Sequence, residues 1–170
     1  MNYDSEKLEE FNIVRKKYDT YEDYIKHQAQ KLDEKLDEIQ KSDVEYEEIV
    51  YQRFENEGDN LKGKSILCLG ARLGGEVRAF KKLNMLAIGI DINTGKENED
   101  VLYGDFHNIR FPDNIFDLAF TNVIDHVYDL PRFRDEVSRV LKPDGILYAE
   151  CGKVKVKSNN YEVIDTINHE

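Results

Sequence analysis

The sequence predicts an α/β fold: a mostly parallel sheet with helices on both faces, preceded by an N-terminal helical segment. Two observations carry this. From residue 61 onward, short unbroken apolar runs alternate with helical or polar stretches, the pattern of strands buried on both faces of a parallel sheet. Before that, glycine and proline are nearly absent as far as Gly58, and 18 acidic residues stand against 9 basic ones. The balance from 61 onward is 17 to 15, so the sequence divides into a helical extension, 1–60, and a main domain, 61–170.

Three helices are expected in the extension. One covers about 4–18, with Leu8, Phe11 and Val14 on a face. A second starts at Thr20, whose hydroxyl can cap it, with Asp23 three residues on. It places Ile25, Ala29, Leu32, Leu36 and Ile39 in a seam at steps of four and three. A third follows Ser42, where Ser42-x-x-Glu45 reads as a capping box, and carries Ile49, Val50 and Phe54. The seam has two readings: helices that pack on the domain or cover its cleft, or a coiled coil that joins two copies into a homodimer.

Residues 56–64 (NEGDNLKGK) form the break, with Gly58 and Gly63 in turns. The first strand of the domain contains Ile66, Leu67, Cys68 and Leu69 and stops at Gly70. Gly74 and Gly75 follow, then a helix with Val77, Phe80 and Leu83 inward. The second strand, LAIGID, ends at Asp91. A short third, 101–103, leads into Gly104 and Asp105, and the fourth is FDLAFTN, 116–122. A helix over 129–141 turns Leu130, Phe133, Val137, Val140 and Leu141 to one face. Pro143-Asp144-Gly145 ends it, and 146–151 is the fifth strand. Only nine residues separate Asp91 from Val101, so the usual crossover helix must be missing or reduced to a turn. Beyond Cys151, KVKVK reads as a ragged edge strand and YEVIDTINHE as one or two helical turns.

A net charge of −11 argues against non-specific binding of nucleic acid and of anionic membranes, both of which need clustered Lys and Arg. Cys68 and Cys151 lie in apolar runs and read as reduced, buried thiols. The acidic N-terminus has no apolar signal region and no run approaches a membrane span, so a cytoplasmic location is the expectation.

In an open parallel sheet, ligands bind beyond the carboxyl ends of the strands, where the strand order reverses. The residues there are Gly70, Ala71 and Arg72, then Asp91, then Asp105 with Phe106, then Asn122. Each suits a nucleoside. The glycine turn permits close backbone approach, and Asp91, about 20 residues on, can accept from two ribose hydroxyls. Asp105 can accept from the exocyclic amino group of adenine, and Phe106 can cover a base face. The plainer alternatives are an Asp91 that caps a turn with Asn93 and an Asp105 in a simple Gly-Asp turn. His126, just past the fourth strand in NVIDHVYD, is the leading general-base candidate, with Asp125 orienting it or acting itself. His107 is a second candidate. Asp125, His126 and Asp129 match no strong metal-ligand spacing, so no metal is expected.

Four stretches, ILCLGARLGG, AIGIDIN, LYGDFHNIRFPDNIFDLAFTN and EVSRVLKPDGILYAE, resemble class I S-adenosylmethionine-dependent methyltransferases of the small-molecule type. The likeness runs from about residue 64 to 151. It implies a Rossmann-like sheet, S-adenosylmethionine as cofactor, and methyl transfer to a small-molecule acceptor. Carried over, Gly70, Ala71, Arg72 and Gly74 flank the methionyl part, Asp91 and Ile92 hold the ribose side, Asp105 and Phe106 meet the adenine, and Asn122 faces the transfer region.

The pattern also departs from that family. An acid is usual where Cys68 stands, and Glu76 or the turn carbonyls would have to replace it as an anchor for the methionyl amino group. A glycine is usual where Arg72 stands, and Arg72 could pair with a carboxylate of cofactor or substrate. The family's last two strands have no counterpart, which implies truncation or completion by another subunit. These departures leave a second reading open, a catalytically degenerate methyltransferase-like partner subunit. The motif of adenine amino methyltransferases is missing at 122–124, which with the charge speaks against DNA. A nicotinamide dehydrogenase would need glycine at Arg72.

Overall fold

The computed structural model describes residues 5–8, 13–150 and 161–163. Along the chain come strands β1 (Ser5–Leu8) and β2 (Ile13–Lys16), helices α1 (Tyr21–Glu34), α2 (Leu36–Phe54) and α3 (Gly58–Leu61), then β3 (Ser65–Leu69), α4 (Gly75–Lys82), β4 (Leu86–Asp91), β5 (Val101–Tyr103), β6 (Phe116–Thr121), α5 (Leu130–Val140), β7 (Leu141–Ala149) and β8 (Tyr161–Val163). Strands β3 to β7 form one sheet in the order β5-β4-β3-β6-β7, with every neighbouring pair parallel. The chain runs outward from β3 to β5, then crosses back to β6, so the order reverses at β3. This is the Rossmann-like α/β fold expected from the sequence.

Side chains of β3 alternate between two apolar layers, as the pleat requires. Ile66 and Cys68 join Val50, Val77, Phe80 and Phe120 on the side of α2 and α4. Leu67 and Leu69 join Phe133, Val137 and Val140 on the side of α5. Helix α5 begins at Asp129, whose carboxylate accepts the Arg132 N–H at 3.0 Å, with a proline in the first turn. Leu130, expected inward, is exposed. Leu141 opens β7 rather than closing the helix, and Pro143-Asp144-Gly145 loops out of that strand. Between Phe116 and Leu118 of β6, the partner advances from Leu141 to Ile146.

The extension departs from expectation at its start. Of the residues expected in a helix over 4–18, Ser5–Leu8 and Ile13–Lys16 instead form β1 and β2, paired antiparallel, where the β-branched Ile13 and Val14 favour extended backbone; Phe11 lies outside the described residues. Strand β8 pairs parallel with β2, so Tyr161–Val163 is extended where one or two helical turns were expected over 161–170; the rest of that run lies outside the described residues. The KVKVK run and Cys151 lie outside the described residues. Helix α1 is capped as expected, Thr20 accepting the Asp23 N–H at 3.1 Å. Ser42 caps nothing. It lies inside α2, and its hydroxyl donates to the Ile39 carbonyl at 3.0 Å. The break falls instead at Lys35, with φ −130°. It divides the seam, leaving Leu32 buried on α1 and Leu36 exposed on α2.

Helix α2 is built into the domain. Asp43 accepts the Gly75 N–H at 2.9 Å, and its carbonyl oxygen lies 2.5 Å from where a Cβ on Gly75 would stand, so only glycine allows this approach. Arg78 of α4 pairs with Asp43 and donates to Glu47 at 2.7 Å.

No crossover helix joins β4 to β5. Side-chain amides fasten residues 92–100 in its place. Asn98 donates to the carbonyls of Thr94 and Arg72 at 3.0 and 3.1 Å and accepts from Asp100 and Val101 at 2.9 and 3.0 Å. Asn93 donates to the Ala29 carbonyl of α1 at 2.5 Å, so α1 lies over this segment.

Val50, on α2, is fully buried against the sheet. Val50→Ala is expected to lower the unfolding free energy by about 2 kcal/mol, from two lost methyl groups and a partly relaxed cavity. Urea unfolding reads it, and an unchanged midpoint would mean that α2 does not share the core.

Candidate active site

Beyond the carboxyl ends of β3 and β4 the backbone is fixed by a few specific bonds. The N–H groups of Gly70 and Ala71 both donate to the Ile90 carbonyl, at 2.9 and 3.2 Å. Gly70 has φ 76°, and a Cβ there would collide with Val123. Arg72 follows with φ 44°, a left-handed conformation that costs a non-glycine residue about 1 kcal/mol. That backbone accounts for the glycine usual at this position. The Arg72 N–H donates to Asp91 Oδ2 at 3.0 Å, and the Asn93 N–H donates to Asp91 Oδ1 at 2.8 Å. Asp91 therefore does cap the turn with Asn93. Each carboxylate oxygen still has a lone pair to offer to a ligand.

A cleft in three connected parts runs over these turns. The largest, about 450 Å³, lies between the Gly70–Arg72 turn and α2, lined by Asp43, Glu45, Tyr46, Glu76, Asn122 and His126 among others. It shares Gly70, Arg72, Val123 and His126 with a waist of about 40 Å³, bounded also by Asp91, Ile92, Asp105 and Phe106, with Tyr24 and Gln28 of α1. The waist shares Ile92 and Asp105 with a lobe of about 360 Å³, lined by Tyr103, Gly104, Asn108 and, from α1, Tyr21 and Ile25.

The large lobe is bordered by Glu76, in the first turn of α4. Its carboxyl group is 3% exposed and accepts from no other residue among those described. Burial raises its pKa to about 8, helped by the carboxylates of Asp43 and Asp91 and opposed by its own backbone N–H and Arg78. Cys68 lies beside it, fully buried, its thiol pushed up by burial and by the charge of Glu76. The wall opposite is held by α2. Tyr46 O–H donates to Glu150 Oε2 at 2.8 Å, and Asn122 lines the lobe with it.

At the far end, Asp105 accepts the Tyr21 O–H at 2.5 Å and the His107 N–H at 2.8 Å. Burial works against its charge, but hydrogen bonds from His107 and Tyr21 hold its carboxyl below the usual range. His107 Nε2 accepts the Asp129 N–H at 3.2 Å, which puts the ring proton of a neutral imidazole on Nδ1, 3.1 Å from Asp105 Oδ1. With its ring buried and both nitrogens engaged, His107 supports structure rather than proton transfer.

Of the residues singled out from the sequence, Gly70, Ala71, Arg72, Asp91, Ile92, Asp105, Phe106, Asn122 and His126 all line the cleft. Gly74 does not; a Cβ there would face Asp100 and Val101. Asp125 shares a one-turn 3-10 helix with His126 and is not among the lining residues. Sequence reasoning missed the contribution of the extension: Tyr21, Tyr24 and Gln28 from α1, Asp43, Glu45 and Tyr46 from α2. The one local signal was the spacing of Tyr18, Tyr21 and Tyr24, which puts three tyrosines on one side of the start of α1.

Residues 67–149 match a family described as the methyltransferase domain. Among solved structures, the chain is similar to a protein from Methanococcus maripaludis provisionally described as an S-adenosyl-L-methionine-dependent methyltransferase. The TM-score is 0.58 at 21% identity, over 72% of this chain and 63% of that one. It is also similar to a Galdieria sulphuraria protein provisionally described as a sarcosine dimethylglycine methyltransferase, with TM-score 0.53 and 25% identity over 62% of this chain and 46% of that one. The chain thus spans less than two thirds of either. No curated protein matches it.

Glu76 gives a testable pH dependence. Its folded pKa of about 8 lies above the ordinary 4.5, so across that interval the folded state holds a proton that the unfolded chain has lost. Stability should therefore fall as pH rises from 5 to 8 (roughly the span between the two values) and level off above it. Glu76→Gln should remove that slope and gain at least about 1 kcal/mol over the parent at the alkaline end. Parallel urea-midpoint profiles for the two proteins would place this carboxyl in water.

Proposed function

We propose that this chain, whose residues 67–149 match the methyltransferase domain family, binds S-adenosylmethionine and transfers its methyl group to a small-molecule acceptor. The observation that carries the reading is the run of carboxyl groups along one cleft, Glu76, Asp91 and Asp105, beside the Gly70–Arg72 turn.

The donor and acceptor set fits that cofactor. Asp105 and Ile92 border the lobe for adenine, with Phe106 at its inner edge. Asp91 offers its remaining lone pairs to ribose hydroxyls. The Gly70–Arg72 turn receives the methionyl chain, Glu76 its ammonium group, and Arg72 its carboxylate. When bound, the cofactor supplies a methyl group already activated by the sulfonium. The protein's work is to align the acceptor and keep water away.

The remainder of the large lobe, under α2, is the place for the acceptor. Tyr46 and Asn122 both line it and present polar groups to the lobe. His126, lining the same lobe, is the group able to take a proton from an oxygen or nitrogen acceptor. Asp43 and Glu45 put carboxylates along the lobe, which favours a neutral or cationic acceptor over an anionic one.

Calorimetric titration with S-adenosylmethionine tests this. Binding is expected, weakened at least about tenfold by Asp91→Ala through loss of charge-assisted hydrogen bonds. A cation beside Glu76 lowers its pKa, so binding at neutral pH should release a proton, visible as a buffer-dependent heat that Glu76→Gln abolishes. Absence of binding would overturn the proposed activity. Binding without proton release would overturn the role of Glu76.

A further inference from the structure

Helix α1 lies across the narrowest part of the cleft, and we propose that it is a latch whose release gates passage of the cofactor. The proposal rests on the cofactor reading above. The waist offers about 40 Å³ between Tyr24 and Gln28 of α1 and Asp91, Arg72 and Val123 opposite. A water molecule needs roughly 15 Å³ on such a measure, so the waist holds a few waters and not a sugar ring. The lobes on either side, about 450 and 360 Å³, are of ligand size. A molecule reaching from one lobe to the other needs the space that Tyr24 fills.

The fastenings of α1 at the cleft are specific. Tyr21 O–H donates to Asp105 Oδ2 at 2.5 Å and lies 2.9 Å from His107 Nδ1. Asn93 donates to the Ala29 carbonyl at 2.5 Å. Tyr24 is buried among the rings of Tyr18, Tyr21 and Tyr128. Tyr21 thus donates to the carboxylate proposed to receive the adenine amino group, so latch and ligand compete for one acceptor. A hinge is also present. Lys35 ends α1 and begins α2 with φ −130° and ψ 28°, and no side chain caps α2. Beyond it, α2 is held by Val50 in the core and by the Asp43–Arg78 pair. Helix α1 can therefore swing while the wall of the large lobe stays in place.

The test uses the whole chain and its own fluorescence. With ten tyrosines and no tryptophan, tyrosine emission reports on the ring cluster of α1. Rapid mixing with S-adenosylmethionine should give an observed rate that reaches a plateau at high ligand, set by latch opening. Tyr21→Phe keeps the ring and removes the O–H, so the plateau should rise about tenfold and the equilibrium affinity should tighten. Hydrogen exchange without ligand should be faster over 21–34 in the variant and unchanged over the C-terminal half of α2. Binding whose rate climbs in proportion to ligand, equally in both proteins, would overturn the latch and leave the cofactor reading intact. Absence of binding by both proteins in calorimetry would overturn the two together.

Discussion

One oxygen of Asp91 accepts the Arg72 N–H and the other accepts the Asn93 N–H. Through that carboxylate, the turn after β3 and the turn after β4 hold each other in position. Burial raises its pKa, and the backbone donors of the two turns oppose that rise. The floor of the cleft depends on the arrangement. Gly70 and Arg72 keep their positive φ, Val123 closes over Gly70, and residues 92–100 are free of any helix that would cover the strand ends. The short β4–β5 connection follows from the same economy, because Asn93 and Asn98 provide with side-chain amides the bonds that a crossover helix would make along its backbone.

The two helices of the extension play unequal parts. Helix α2 belongs to the core through Val50 and, with Phe54 packed against the same layer, closes the large lobe. Its carboxylates cap the start of α4 at Gly75 and pair with Arg78, so the helix that carries Glu76 is positioned from the extension. Helix α1 meets the cleft through ring contacts and through hydrogen bonds to Asp105 and Asn93. Much of the acidity of the extension is exposed, but Asp43 and Glu47 are interior ties. Such a division, one helix fixed and one held lightly over a ligand cleft, places local stability where the site needs form and leaves it low where access is needed.

The parallel sheet was legible in the sequence because strands buried on both faces must be apolar without alternation, and five such runs are present. The strand-end residues followed from topology: once Leu86–Asp91 is a strand, Asp91 has to stand at the ligand end. The lining from the extension was not legible. Tyr21 meets Asp105 and Tyr46 meets Glu150 across 84 and 104 residues, and no local period encodes such pairs. The misreading of 4–18 has a local cause. Its apolar residues are few enough to suit either period, and pairing among β1, β2 and β8 decides the matter. Ser42-x-x-Glu45 has the form of a capping box, but the chain is already helical there, so the serine bonds backward.

The claim that these parts make one cofactor cleft is tested most directly by a crystal structure of the chain with S-adenosylhomocysteine. The account predicts adenine between Ile92 and Asp105, the ribose on Asp91, the amino group at Glu76, and α1 displaced from Asp105 about Lys35. A ligand bound elsewhere, or bound there with Tyr21 still on Asp105 and Tyr24 unmoved, would contradict it.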